Sequence, residues 1–206
     1  MSFKYISPLF PSVVVGNILN MDNKKILKDL KKVNYIESNK HLNIKQATNF
    51  ISKDLSILDN FSDLRELINI NVQNYIKQIF NSDLNFKYTN SWSTKIPNDC
   101  FSFYRNHTNS WLSGVYYPDE YKKFSITFEN PLNTFWNIDG TVNKYEEHNS
   151  QKWNFPIKKN LLLIFPSYLK HSVDINKSKK DGYSIAFNIW PSGSFGTGDS
   201  RINLNG

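Results

Sequence analysis

From Leu84 onward the chain is cut into short apolar and aromatic segments by turn residues. That rhythm constrains the fold more than any other feature. Segments with strand character are Phe86–Ile96, Phe101–Tyr104, Leu112–Tyr117, Phe124–Phe128, Thr134–Ile138, Trp153–Phe155, Leu161–Phe165 and Tyr183–Trp190. Pro97-Asn98-Asp99, Pro118-Asp119, Asn130-Pro131, Asp139-Gly140 and Asp181-Gly182 separate several of them. Many short strands at such spacing predict a sandwich or barrel. Aromatic residues make up 15% of the chain, which favours a large sheet over a helical bundle.

The N-terminal third has a different pattern. Tyr5–Val15 reads as extended, and Pro8 and Pro11 suit an edge strand. Asp22–Val33 places Ile26, Leu27, Leu30 and Val33 at helical spacing, with its lysines on a solvated face. Asn34–Asn60 reads as irregular, with a short helical turn near Lys45–Ile51. Ser62–Phe80 is the strongest helix in the sequence, with Ser62 as N-cap and Asp63 and Glu66 early, where the helix dipole favours acids. The expected fold is mainly β (α+β), with N-terminal helices packed outside. The 206 residues form one domain: a helical buttress at about 20–82, a β core at about 84–190, and an irregular glycine-rich tail at 191–206.

Charge and cysteine use narrow the function classes. The net charge of +7 is almost all lysine; arginine stands only at Arg65, Arg105 and Arg201. Base and phosphate readout favours arginine, so nucleic acid is not the expected partner. Cys100 is the sole cysteine, so an internal disulfide is excluded, and the start carries no signal peptide; both suit a reducing cytoplasm. No apolar run is long enough for a membrane helix. Sheet edges leave room for a homo-oligomer.

Two stretches carry the candidate chemistry. Asn106–Tyr117 reads NHTNSWLSGVYY, and Leu161–Val173 reads LLLIFPSYLKHSV. Each holds one histidine, His107 and His171. His41 has no companion ligand nearby in sequence and reads as a surface residue.

SWLSGVYY, FENP, LLLIFPSYLKHSV and YSIAFN, in that order, resemble the 2-oxoglutarate and iron(II)-dependent oxygenases. More narrowly they resemble the branch common in marine bacteria and cyanophage genomes. The resemblance runs from about Trp92 to the C-terminus. It implies a double-stranded β-helix, or jelly-roll, and Fe(II) and 2-oxoglutarate as cofactors. The family binds iron through a facial triad, which leaves positions open for 2-oxoglutarate and oxygen. The first two ligands sit at i and i+2, because alternate strand residues share a face.

Aligned on Asn109-Ser110 and Ser113–Tyr117, the resemblance gives His107 the second metal position and His171 the distal one; these are also the candidate catalytic residues. Tyr117 and Ser184 fall on cofactor-binding positions. Two positions depart from the pattern. Arg105 stands where the first ligand is expected, and Gly182 where an arginine clamps 2-oxoglutarate. A guanidinium cannot ligate iron. Losing the clamp forfeits roughly 1.5–3 kcal/mol per charged hydrogen bond. In another register His107 and Asn109 form the i, i+2 pair, with the Asn109 carbonyl oxygen as a weak ligand. Lys179 or Lys180 could stand in for the clamp, and Glu146, Glu147 or His148 could supply a stray ligand. Arg105 could instead pair an anionic ligand.

Two readings remain at this point. One is a divergent hydroxylase of unknown substrate. The other is an inactive jelly-roll used for binding or assembly, of which a virion component is one form. Arg105 and Gly182 favour the second, and the retained His107, His171 and Ser184 favour the first. In a structure, the alignment requires that the rings of His107 and His171 converge, and the place of Arg105 is the other test.

Overall fold

The computed structural model describes residues 10–38, 44, 49–121, 124–132 and 142–204. The expected strand at Thr134–Ile138, His41 and most of the turn near Lys45–Ile51 lie outside these residues.

Two antiparallel sheets face each other. The larger runs β1 (Val15–Ile18), β9 (Leu161–Pro166), β6 (Leu112–Tyr117), β11 (Gly182–Phe195), β4 (Asn85–Ile96), β3 (Phe50–Ser52), β2 (Tyr35–Glu37), and β12 (Ile202–Leu204) pairs with β11. The smaller runs β5 (Ser102–Arg105), β10 (His171–Val173), β7 (Ser125–Glu129), β8 (Lys152–Pro156). This is a jelly-roll arrangement.

Every residue of β6 is buried, as are the first five of β9. That explains why both read as continuous apolar runs rather than alternating ones: each face has a partner. One face contributes Leu112, Tyr116, Leu162, Ile164, Ile185 and Phe187 to a cluster with the helices α1 (Lys24–Leu30) and α2 (Ser62–Ile79). The other contributes Val115, Tyr117, Leu161, Leu163, Phe165 and Ala186 to a second cluster with Ile126 and Phe128 of the smaller sheet.

Helix α2 fixes the first cluster with Leu64, Ile68, Val72, Tyr75 and Ile76, all buried. Burying each aliphatic side chain contributes roughly 1.5–3 kcal/mol. That outweighs a missing N-terminal cap, worth about 1 kcal/mol. Ser62 is the first helical residue rather than the N-cap, and its hydroxyl bonds the Asp63 carboxylate. At the start of α1, the buried Asn23 side chain donates to the Pro118 carbonyl (2.7 Å) and accepts from the Tyr116 hydroxyl (2.7 Å). This short helix is thereby tied to the end of β6.

Two further expectations are corrected. The segment 34–60 is not wholly irregular: β2 and β3 lie within it and extend the larger sheet beyond β4. Nor is the tail irregular after Trp190. Strand β11 continues to Phe195, turns through Gly196 (φ 83°) and Gly198 (φ 57°), and returns as β12. Its backbone pairing, not apolar pattern, makes these strands, so hydrophobic periodicity could not reveal them. Among the described residues no helix is long and apolar enough to cross a membrane.

Candidate functional site

The rings of His107 and His171 converge between the two sheets. Their centroids lie 5.1 Å apart with planes at 31°. Aromatic walls surround them: Trp92 is 5.3 Å from His107, while Phe165 and Phe128 are 4.9 and 5.8 Å from His171.

A buried polar chain fixes this meeting. The His107 N–H donates to the Ser167 carbonyl (3.0 Å), and the Ser167 N–H donates to Trp111 O (3.1 Å). The hydroxyl of Ser167 bonds that of Ser113 (2.8 Å), which reaches Asn188 Oδ1 (2.7 Å). Three strand regions are thus stapled at the level of the histidines. Sequence reasoning missed Ser167, because a buried serine network has no periodic pattern.

His171 Nδ1 lies 3.0 Å from the Leu169 carbonyl. A carbonyl only accepts, so Nδ1 carries the proton and the neutral ring keeps its Nε2 lone pair. Burial pushes His171 down to about 4; the Leu169 bond opposes the shift and Arg105 adds to it. Burial, then His171, then Arg105 push His107 down to about 3. Both rings are therefore uncharged near neutral pH.

Arg105 is the direct cross-strand partner of His171. Residues paired in this way project on the same face. The β5–β10 register also shifts: three steps on β5, from Ser102 to Arg105, match two on β10, from Val173 to His171. This bulge puts Ser102 and Arg105 on one side, and Arg105 Nη1 donates to Ser102 Oγ (2.5 Å). Tyr104, which strict alternation from Ser102 would turn inward, is exposed instead. Burial lowers the Arg105 pKa from its ordinary value, with the Tyr117 hydroxyl acting the other way. Burial raises Tyr117 well above its usual range, and Arg105 opposes that. Asp174 also acts on Tyr117, while accepting from Thr127 Oγ1 at 2.9 Å.

The other candidates fare differently. By strand alternation Ser184 and Gly182 lie on the same face of β11 as Ala186, toward the smaller sheet. A Cβ on Gly182 would stand 3.0 Å from Phe124 Cε1 and 3.3 Å from Cζ. Phe124 thus occupies the space where a clamping arginine would begin. Asn109 is exposed in a left-handed turn (φ 56°). Lys180 pairs with Asp119 at the surface and lies 5.0 Å over Tyr121, and Lys179 is exposed. Glu146 pairs with Lys144 in solvent. Among the described residues no group of three or more His, Cys, Asp or Glu could hold a metal ion. Tyr116 and Phe187 lie in the helix-side core, away from the histidines.

Residues 90–188 match a protein family described as "Putative 2OG-Fe(II) oxygenase". No curated protein matches the sequence. Solved structures resemble the fold at low identity. The α-ketoglutarate-dependent epimerase SnoN from nogalamycin biosynthesis has a TM-score of 0.64 at 9% identity, over 90% of this chain and 82% of that one. HygX from Streptomyces hygroscopicus, with nickel, 2-oxoglutarate and hygromycin B bound, has 0.58 at 8%, over 87% and 82%. A Trichoplax adhaerens prolyl hydroxylase in complex with a hypoxia inducible factor peptide has 0.56 at 9%, over 87% and 82%.

Proposed function

We propose that this chain is a dioxygenase-like protein of the 2-oxoglutarate/Fe(II) type, related to the hydroxylases, whose metal and 2-oxoglutarate sites are incomplete. Its inter-sheet space binds a ligand without turnover. The observation that carries this reading is the cross-strand pair of Arg105 and His171. A cation projects on the face where the histidines would hold iron, and like charges repel strongly in a partly dry space.

The residues present do not fit the implied cofactors. His107 and His171 supply two imidazoles, and Asn109, the weakest candidate, is exposed in its turn. A facial triad needs three ligands. On the 2-oxoglutarate side, Tyr117 and Ser184 remain, but Phe124 fills the place beside Gly182. On this reading these residues support no oxygenase step.

A second reading has one observation in its favour. His171 keeps a free Nε2 lone pair and His107 is uncharged. Both are the states a metal needs. A divergent hydroxylase would bind iron through these two rings, with Asn109 or water completing the sphere.

One experiment separates the two. The purified, chelator-treated protein is titrated anaerobically with Fe(II), with and without 2-oxoglutarate, and succinate is then measured on exposure to air. The binding reading expects neither saturable binding that depends on His171 nor succinate. Saturable binding lost in His171→Ala, together with succinate release, would overturn it.

A further inference from the structure

The binding reading leaves the ligand unnamed, and Arg105 supplies its chemistry. The guanidinium is brought to the inter-sheet space by the bulge in β5, beside His107, His171 and Tyr117. Among the described residues its one side-chain hydrogen-bond partner is the neutral Ser102 hydroxyl, and it makes no ion pair. Asp174, an acid that acts on Tyr117, accepts from Thr127 Oγ1 and makes no ion pair with Arg105.

Arg105 is part-buried, and a guanidinium whose side-chain partner is a neutral hydroxyl keeps most of its donors free for a charged one. The histidines beside it pack against Trp92, Phe165 and Phe128. The missing partner is an anion that enters from outside. The guanidinium presents parallel N–H donors that match a planar carboxylate two-for-two. One cation calls for one negative charge, which disfavours the phosphate dianion. The aromatic rings suit an apolar remainder.

We propose that the inter-sheet site binds a small organic monocarboxylate, clamped by Arg105 with the Tyr117 hydroxyl beside it. This rests on the binding reading and specifies its ligand class. The position is the one left by a metal ligand, on the opposite sheet from Gly182.

The chain offers an unusually clean probe, because its arginines are only Arg65, Arg105 and Arg201. An NMR spectrum of the arginine Nε–Hε groups therefore holds three signals. Arg65→Lys, at a half-buried position, and Arg201→Lys, at an exposed one, assign the third to Arg105. The wild-type protein, in chelator and at constant ionic strength, is titrated separately with acetate, benzoate, 2-oxoglutarate and inorganic phosphate.

The expected result is a saturable shift of the Arg105 signal alone, with benzoate tighter than acetate, and both tighter than phosphate. Arg105→Gln should weaken binding at least tenfold by calorimetry, and Arg105→Lys less. A spectrum in which Arg105 does not move, or in which all three signals drift alike, overturns the proposal. So does phosphate binding as tightly as benzoate. None of these failures touches the broader binding reading, which falls only if Fe(II) binds saturably through His171 and succinate is released.

Discussion

Arg105 and His171 face one another across the β5–β10 ladder, so a permanent cation stands beside a buried, neutral imidazole. Under the proposed function that position is the one a metal ligand would hold. Exchanging this one residue is the most direct probe of the site.

Arg105→His should create a metal site. The introduced imidazole would converge with those of His107 and His171, from two strands and the segment between them. Nickel at 100 times its dissociation constant should stabilise the variant by about 2.7 kcal/mol. The wild type should show little change. Thermal unfolding with and without nickel tests this, and equal shifts in both proteins would place the metal elsewhere.

Stability should fall in mild acid. The folded-state pKa values of His107 and His171 lie at about 3 and about 4, below the ordinary 6.5. Above pH 6.5 both states of the chain are neutral at these rings and the contribution is flat. Below it the unfolded chain takes up protons that the folded chain refuses. Each histidine then removes up to about 1.4 kcal/mol per pH unit, until its folded pKa is reached. Urea midpoints between pH 7.5 and 4.5 should show this slope. A double variant, His107→Gln with His171→Gln, should show a shallower one; an unchanged slope would mean the rings are not the cause.

Two glycines should respond differently to alanine. At Gly114 the new Cβ would lie 2.1 Å from Phe187 Cζ, a fully buried ring between β6 and the helices. Gly114→Ala should cost about 3 kcal/mol, the upper end for overpacking. At Gly182 the nearest atom is 3.0 Å away, and a small tilt of Phe124 relieves it. Gly182→Ala should cost less than about 1 kcal/mol, within the range of a tolerated core change. Chemical denaturation that ranks them in the opposite order would refute the packing described for both sites.

Ser113→Ala should destabilise by about 1–3 kcal/mol, because it leaves Asn188 Oδ1 without its Ser113 donor inside the protein. Its second effect is on geometry, since Ser113 also holds Ser167, whose carbonyl anchors His107. The acid-induced loss of stability should therefore shrink in Ser113→Ala as His107 becomes more solvated. A variant as stable as the wild type would show that the serine chain is not structural.

Strand positions were largely legible in the sequence. Leu112–Tyr117 coincides with β6, and Leu161–Phe165 lies within β9, because both are buried on two faces and keep unbroken apolar runs. The meeting of His107 and His171 was legible through motif order. The strand β10 was not, being three residues long with polar Ser172 at its centre. The bulge was equally invisible: nothing in Ser102–Arg105 marks an extra residue, yet it decides that Arg105 and not Tyr104 turns inward. The aromatic occupant beside Gly182 comes from Phe124, far earlier in the chain, a relation no local pattern encodes.

The fit of Phe124 against Gly182 also couples these two positions. Placing an arginine at residue 182 alone would drive its side chain into the ring. Trimming Phe124 alone would open a hole in the inter-sheet core, where Phe124 is almost wholly buried. Each single step is disfavoured, and only the two together give a sound structure. Small complementary packing of this kind ties two positions far apart in the chain into one unit, so that neither side chain can change size alone.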